Sequence, residues 1–448
     1  MTDRTHRKIS KEEIKHSVIK AIDARRDEII ALGADIFRHP ELGYKEHRTA
    51  GLVEEKFKEL GLNYRSGIAL TGVKATLAGN GARPKVCVMG ELDAVVCPGH
   101  PNADPTTGAA HSCGHNAQVA AMVGVAMGLV DSGAMAHLDG AVDFFAVPAE
   151  EYVEIEFREK LRREGKIRFL GGKQELIALG ELADVDLAMM CHLGASGEKR
   201  VTVNGSSNGF IGKLIRYIGR EAHAGGAPHL GINALNAAML GLMGIHANRE
   251  TFRDEDHIRV HPIITRGGDL VNIIPADVRM ETYVRGKTMD AIIDANMKVT
   301  RALEAGALAV GAMVDITDIP GYLPRLNDQT FSDLFKANVA PLVGGEQYVG
   351  DEGHGAGSTD MGDVSHLMPA LHPHIGGTEG AGHSEDFRIT DEELAYIVPA
   401  KAMALTVVDL LWDGAALAKQ IVAGYKPVYT RESYLAMWDK LLTKKLPQ

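Results

Sequence analysis

Apolar positions along this chain change their spacing several times, and each change marks a boundary. A capping-box pattern, Ser10 to Glu13, opens a long helical periodicity through Ile19, Ile22, Ile29, Ile30, Leu32 and Ile36. A second helix is expected from about Thr49 to Leu60. Short apolar runs follow, VKATLAG, KVCVMG, VDFFAV and DLAMM, which read as buried strands, with helical stretches such as QVAAMVGVAMGLV between them. Strand and helix in alternation predict an α/β fold, a mainly parallel sheet with helices on both faces.

The rhythm changes between about Gly205 and Pro320. GKLIRYIG reads as a strand, INALNAAMLGLMGIHA as a helix and IRVHPIIT as a strand. DVRMETYVR alternates with apolar residues at Val278, Met280 and Val284, and is followed by the helix AIIDANMKVTRALEAGA and the strand MVDITDI. That order, β-α-β-β-α-β, is the split-βαβ pattern of a ferredoxin-like α+β domain, inserted into the first. The expected parts are residues 1–204, 205–319 and 320–448, with the last completing the first sheet.

Composition narrows the class. With 448 residues, 45% of them apolar and 24% charged, the chain is long enough for two ordinary cores and too well mixed for disorder. A polar N-terminal stretch without an apolar h-region, and no stretch suited to a membrane, lead to the expectation of a cytoplasmic protein with no membrane partner. The net charge of -11 and the lack of a basic cluster with interleaved aromatics argue against a nucleic-acid partner. Four cysteines, Cys87, Cys97, Cys113 and Cys191, read as buried thiols or metal ligands rather than a disulfide framework. Nineteen histidines, several beside Gly, Cys or Glu in loop-like stretches, direct attention to metal chemistry.

In an open parallel sheet the site lies beyond the carboxyl ends of the strands. KVCVMG leads there to Glu91 and Asp93, VDFFAVPA to Glu150 and Glu151, LAMMC to His192, and LHPHIGG onward to His383. His111-Ser-Cys113-Gly-His115-Asn116 opens an apolar helix. A single Cys-x-His is more often packing than ligation, but five such elements converge. Thiolate, imidazole and carboxylate together suit zinc, with manganese, cobalt or nickel as alternatives. Glu150 and Glu151 point to different sides on regular backbone, so both reach one ligand only through a turn after Pro148. One would then hold metal while the other moves a proton. In the inserted unit, His223 precedes a helix starting near Asn233, and Asn272 and Arg285 bracket a strand; an arginine can clamp a carboxylate with two hydrogen bonds.

Taken in order, RHPELGYKEHRTA, GELDAV, HSCGHNAQVA, VPAEE, CHLG, GREAHAGGAPHLGINALNAA, NIIPADVRMETYVRG, GSTDMGDVS and GGTEGAGHSEDF span nearly the whole chain. They resemble the aminoacylase/carboxypeptidase-type metallopeptidases, in particular the aminobenzoyl-glutamate hydrolases, hippurate hydrolases and auxin-conjugate amidohydrolases. The resemblance implies a two-metal hydrolase that cleaves an N-acyl amino acid, with a dipeptidase or aminopeptidase, or an inactive metal-binding partner subunit, as the competing readings. Cys113, His115, Glu151, His192 and His383 would hold two divalent ions, with Cys113 bridging. Glu150 would be the general base, and Asp93 would orient a ligand histidine. The inserted unit would be a dimerisation or lid domain of a homodimer or larger assembly, whose His223 reaches the partner's active site. Asn272 and Arg285 would bind substrate, Arg285 at its carboxylate, and Gly376 and Gly377 would line the pocket. Asn116 stands where many such proteins carry Asp, and VPAEE replaces the commoner QPAEE. The charged segment after Glu151 receives no role.

Overall fold

Ser10 caps the first helix, Lys11–Ala24: the Glu13 backbone N–H donates to its hydroxyl at 3.3 Å, and the Ser10 N–H donates to the Glu13 carboxylate at 2.9 Å. The computed structural model describes residues 9–194 and 197–443. The long helix expected at this end is two helices, because Arg25 interrupts it and Arg26–Arg38 follows. Ile14, Val18 and Ile22 form the first buried stripe, with Ile19 only half-buried, and Ile29, Ile30, Leu32 and Ile36 form the second. Both rest on the helix His115–Asp131, whose 17 residues extend about 25 Å, whereas one unbroken helix over both segments would run about 40 Å. Gly128 and Gly124 allow the close approach: a Cβ on Gly128 would sit 2.5 Å from Ile22 Cγ1, and one on Gly124 3.1 Å from Ile29 Cδ1.

Two compact units are formed. The first comprises the described residues up to Gly205, Leu326–Gly353 and Val364–Arg431. Its main sheet has six strands in the order Tyr64–Ile68, Gly72–Ala78, Ala141–Val147, Lys85–Glu91, Leu187–Met189, Ala370–Leu371. Ala141–Val147 and Lys85–Glu91 run parallel, paired from Lys85↔Ala141 to Glu91↔Val147. Leu187–Met189 and Ala370–Leu371 continue the parallel part. Gly72–Ala78 and Tyr64–Ile68 add antiparallel pairs at the other side, so the sheet is mixed. Every residue of Ala141–Val147 is buried, as a strand covered on both faces requires. A smaller four-stranded sheet pairs Val349–Asp351, Val201–Val203, His374–Ile375 and His192–Leu193. These strands are two or three residues long, too short to register as a period. The stretch Glu393–Leu411 is long and apolar enough to cross a membrane, but its most apolar window is 89% buried inside the unit, as a core helix would be.

The second unit is built around Gly209–Ile218, which pairs antiparallel with Asp277–Gly286 on one side and Met313–Pro320 on the other. Arg259–Val260 and Ile263–Arg266 add to the far edge of Asp277–Gly286. This order is the ferredoxin-like arrangement read from the sequence. Burial alternates strictly along Asp277–Gly286. The helices Ala234–Asn248 and Met289–Val310 pack Ala237, Ala238, Ile245, Val299 and Leu303 against Tyr217, Val278 and Met280. Beyond Ser206–Arg325, this unit also takes in His354–Asp363 and the described residues from Glu432 on. His354 is tied in by Ser206 Oγ at 2.9 Å and Asn208 Oδ1 at 3.0 Å, and Asp363 accepts from the Tyr434 hydroxyl at 2.7 Å.

Candidate metal centre

Parallel strands deliver the polar residues to one end of the first unit. Lys85–Glu91 runs into Glu91, Leu92 and Asp93, and Ala141–Val147 runs into Pro148, Ala149, Glu150 and Glu151. Ala149 has φ +54°, so the expected turn after Pro148 is present. Glu150 and Glu151 are 8% and 7% exposed in irregular backbone. Gly114, at φ +86°, turns the chain between Cys113 and His115 into the central helix. His383, at φ +60°, is held by its N–H donating to the Ser112 carbonyl at 2.8 Å.

Among the described residues three donor groups result, each with all its donor atoms within 4.8 Å of one another: Cys113 with His115 and His192, Cys113 with Glu151 and His383, and Glu91 with His115 and Glu150. Cys113 Sγ lies 3.4 Å from His192 Nε2, and His383 Nε2 lies 3.0 Å from Glu151 Oε1. The Nδ1 of His115 faces the Asp93 carbonyl at 2.9 Å, leaving Nε2 directed to the cluster, 3.1 Å from Glu91 and 3.9 Å from Glu150. A fixed Nδ1 partner is how a ligating imidazole is oriented. Asp93 Oδ2 accepts from the Glu151 backbone N–H at 2.8 Å, so Asp93 steadies two candidate ligands.

A cation fits this donor set on physical grounds. His115 Nε2 and Glu151 Oε1 are buried and, despite close neighbours, make no aligned hydrogen bond among the described residues. Buried polar atoms that face their neighbours without an aligned hydrogen bond are suited to a shared positive partner. Burial and the Glu151 carboxylate push the Cys113 thiol up, but the imidazoles of His192 and His115 outweigh them and bring it down to about 6. A thiolate is therefore available near neutrality. Contact with Cys113, then with Glu151, raises His383 to about 11. Burial works against the Glu151 carboxylate, but His383 and its neighbours bring it down to about 2. Burial drives the Cys191 thiol up instead, in keeping with its expected place inside the fold.

Gly376 and Gly377 also belong to the first unit: Gly376 N–H donates to the Arg200 carbonyl at 2.8 Å, and Gly377 has φ +102° with the Asp391 carbonyl 2.7 Å from where a Cβ would stand. His223, Asn272 and Arg285 belong to the second. The His223 ring is exposed, and its Nδ1 accepts from the N–H groups of Gly225 and Gly226 at 3.2 and 2.9 Å. That assigns the proton of the neutral ring to Nε2. Ala224 N–H donates to the Asn272 carbonyl at 2.9 Å, which brings these two segments together. Arg285 lies within its strand rather than beside it, over the rings of Phe210 and Tyr283, with Nη1 donating to Ser358 Oγ at 2.7 Å.

Several neighbours went unread in the sequence. The sequence puts Glu91 at a strand end without assigning it a role, and Lys173 is one cation in the charged segment after Glu151. The structure buries both as an ion pair, and Gln118 Nε2 donates to the same carboxylate at 2.8 Å. His372 and His374 lie with ring centroids 5.6 and 5.3 Å from that of His192; the His-x-His spacing in LHPHIGG was the available signal.

Residues 206–309 match the M20 peptidase dimerisation domain. The chain is 29% identical over 426 residues to the Xaa-Arg dipeptidase of Mus musculus, covering 91% of each chain. It is 25% identical to the IAA-amino acid hydrolase ILR1-like 2 of Arabidopsis thaliana, covering 83% of this chain and 82% of that one. A dinuclear metal-binding peptidase of the M20 family from Bacillus subtilis superposes with a TM-score of 0.62 at 23% identity, over 87% of this chain and 99% of that one.

Proposed function

We propose, from the similarity of the chain to the M20 dimerisation domain and to dipeptidase and amidohydrolase relatives, that it is an M20-family hydrolase of amide bonds and cleaves an N-acyl amino acid or dipeptide at a two-metal centre. The observation that carries this reading is that Cys113 belongs to two donor groups at once, one completed by His115 and His192 and the other by Glu151 and His383. A thiolate shared in this way would hold two divalent ions of the zinc or manganese type. Bound there, they would supply Lewis acidity toward water and the scissile carbonyl.

The remaining chemistry belongs to the chain. Glu150 takes the proton from the attacking water and returns it to the leaving amine: of the two carboxylates outside the Cys113 groups, Glu91 is tied to Lys173 and Glu150 is left for this role. Asp93 orients His115 and fixes the Glu151 backbone. His223 of the partner subunit would donate to the oxyanion as it develops. Arg285 would receive the substrate carboxylate, and Asn272 would also bind substrate. Stacking and the Ser358 contact restrict the Arg285 side chain in advance, which lowers the entropy lost on binding.

A homodimer formed through the second unit accounts for its apolar exterior: Met239, Leu240 and Met243 on one helix are 55%, 43% and 67% exposed. The relation to an Xaa-Arg dipeptidase favours a dipeptide with a basic C-terminal residue as the second substrate reading.

The test is a panel of N-acyl amino acids and matched dipeptides, assayed with and without chelator, on wild type and Glu150→Gln. Turnover abolished by chelator, and lowered on the order of 10²-fold or more in the variant, is expected. A free amino terminus required for turnover selects the dipeptidase reading. Bound metal with no turnover on any amide, or full activity in Glu150→Gln, overturns the assignment.

A further inference from the structure

Glu46 and Arg158 are fully buried ionisable side chains for which the reaction above has no use. Both meet at Ala149, the residue before the two glutamates. Ala149 N–H donates to Glu46 Oε1 at 2.8 Å, and the other Glu46 oxygen accepts from the Thr71 hydroxyl at 2.6 Å. The Ala149 carbonyl accepts from Gly172 N–H at 3.0 Å and from Arg158 Nη1 at 3.4 Å, while the same Nη1 donates to the Leu170 carbonyl at 2.8 Å. The Arg158 guanidinium lies over the Tyr44 ring at 5.5 Å. Space around the peptide is tightly filled: a Cβ on Gly172 would fall 1.6 Å from the Pro148 carbonyl oxygen, and one on Gly43 would fall 2.3 Å from Arg158 Nη2 and 2.9 Å from Ala149 Cα.

The enclosed peptide is a strained one. Ala149 is left-handed at φ +54°, a conformation an L-residue holds only when its surroundings impose it. On extended backbone Glu150 and Glu151 would face opposite ways. Here Glu150 lies in one donor group with His115 and Glu151 in another with His383. The Glu151 side of the turn has its own anchor in Asp93, whereas the Ala149 side is held by the Glu46 carboxyl at its N–H and by Gly172 and Arg158 at its carbonyl.

We propose that Glu46 and Arg158 are positioning residues, which grip the Ala149 peptide by its N–H and its carbonyl and thereby aim the Glu150 carboxylate at the reacting water. This rests on Glu150 being the base. It gives a role to the RHPELGYKEHRTA stretch and to the charged segment after Glu151.

The test compares Glu46→Gln, Glu46→Ala, Glu46→Ala/Ala149→Gly and Glu150→Gln by kcat, KM, bound metal and melting temperature. The glutamine keeps an acceptor for Ala149 N–H and is expected to retain most of kcat. Misplacement of a catalytic group by an ångström costs on the order of 10²-fold, so Glu46→Ala is expected to lose kcat by about that factor, with KM and bound metal nearly unchanged. Glycine takes positive φ without penalty, and the double variant is expected to regain part of the loss.

A Glu46→Ala enzyme that melts earlier but turns over at the wild-type kcat once folded overturns the positioning role and leaves Glu150 as base. If Glu46→Ala does not fold, the Glu46→Gln enzyme decides: kcat as low as that of Glu150→Gln, with metal retained, contradicts the proposal. Full activity in Glu150→Gln overturns both readings.

Discussion

Replacing Lys173 with methionine removes one partner of an ion pair whose side chains are 0% and 1% exposed. Burial pushes the Glu91 carboxyl up, and Lys173, with His115 and His192, more than reverses the effect, so wild-type Glu91 is held as the anion. Without the ammonium, the Gln118 amide at 2.8 Å remains as a neutral donor to Glu91, which compensates only part of a buried charge. Stranding one member of a buried pair typically costs about 3–5 kcal/mol, whereas replacing both members with neutral groups is often close to neutral. Equilibrium urea unfolding at neutral pH, followed by circular dichroism on metal-depleted protein, should therefore show a loss of about 3–5 kcal/mol for Lys173→Met. Glu91→Gln/Lys173→Met should be much less costly, with a coupling of about 2 kcal/mol or more between the positions. A single-variant cost below about 1 kcal/mol, or a double variant as unstable as the single one, would refute this account of Glu91.

Two further outcomes are expected. Burial and the Asp93 carboxylate raise Glu46 to about 7, so the folded chain holds a proton that the unfolded chain releases at the ordinary value of 4.5. Its contribution to stability is present below the unfolded value and lost as pH rises through about 7, a change of roughly 3 kcal/mol. Melting curves of Glu46→Gln should fall less across that window than those of wild type, and identical pH slopes would contradict the assignment. Met239→Glu/Met243→Glu places charge on the exposed face of the helix Ala234–Asn248 and should shift sedimentation toward the monomer, while an unchanged dimer would place the interface elsewhere.

Local patterns made much of the fold legible. The Ser10–Glu13 cap, the buried strands Lys85–Glu91 and Ala141–Val147 and the alternation of Val278, Met280 and Val284 are each written in adjacent residues. The site donors could be read for a related reason: parallel strands put the residues after them at one end of a sheet, so Glu91, Asp93, Glu150 and Glu151 follow directly from strand identity.

What escaped depends on distant contacts or on very short elements. The break at Arg25 answers to a helix roughly a hundred residues away, with Arg25 bound to Asp131 at 2.8 Å. His192–Leu193 and His374–Ile375 are two-residue strands without a detectable period. Lys173 sits in a charged stretch and resembles a surface lysine until Glu91, 82 residues earlier, is found against it. Glu46 and Arg158 likewise acquire meaning only where Ala149 passes between them.

Elemental analysis of wild type and Cys113→Ala, each reconstituted with zinc or manganese and freed of excess metal, tests the shared thiolate most directly. The account predicts about two ions per wild-type chain and weakened retention of both in the variant, with amide hydrolysis lost alongside. A Cys113→Ala protein that keeps its full metal complement and its turnover would contradict it.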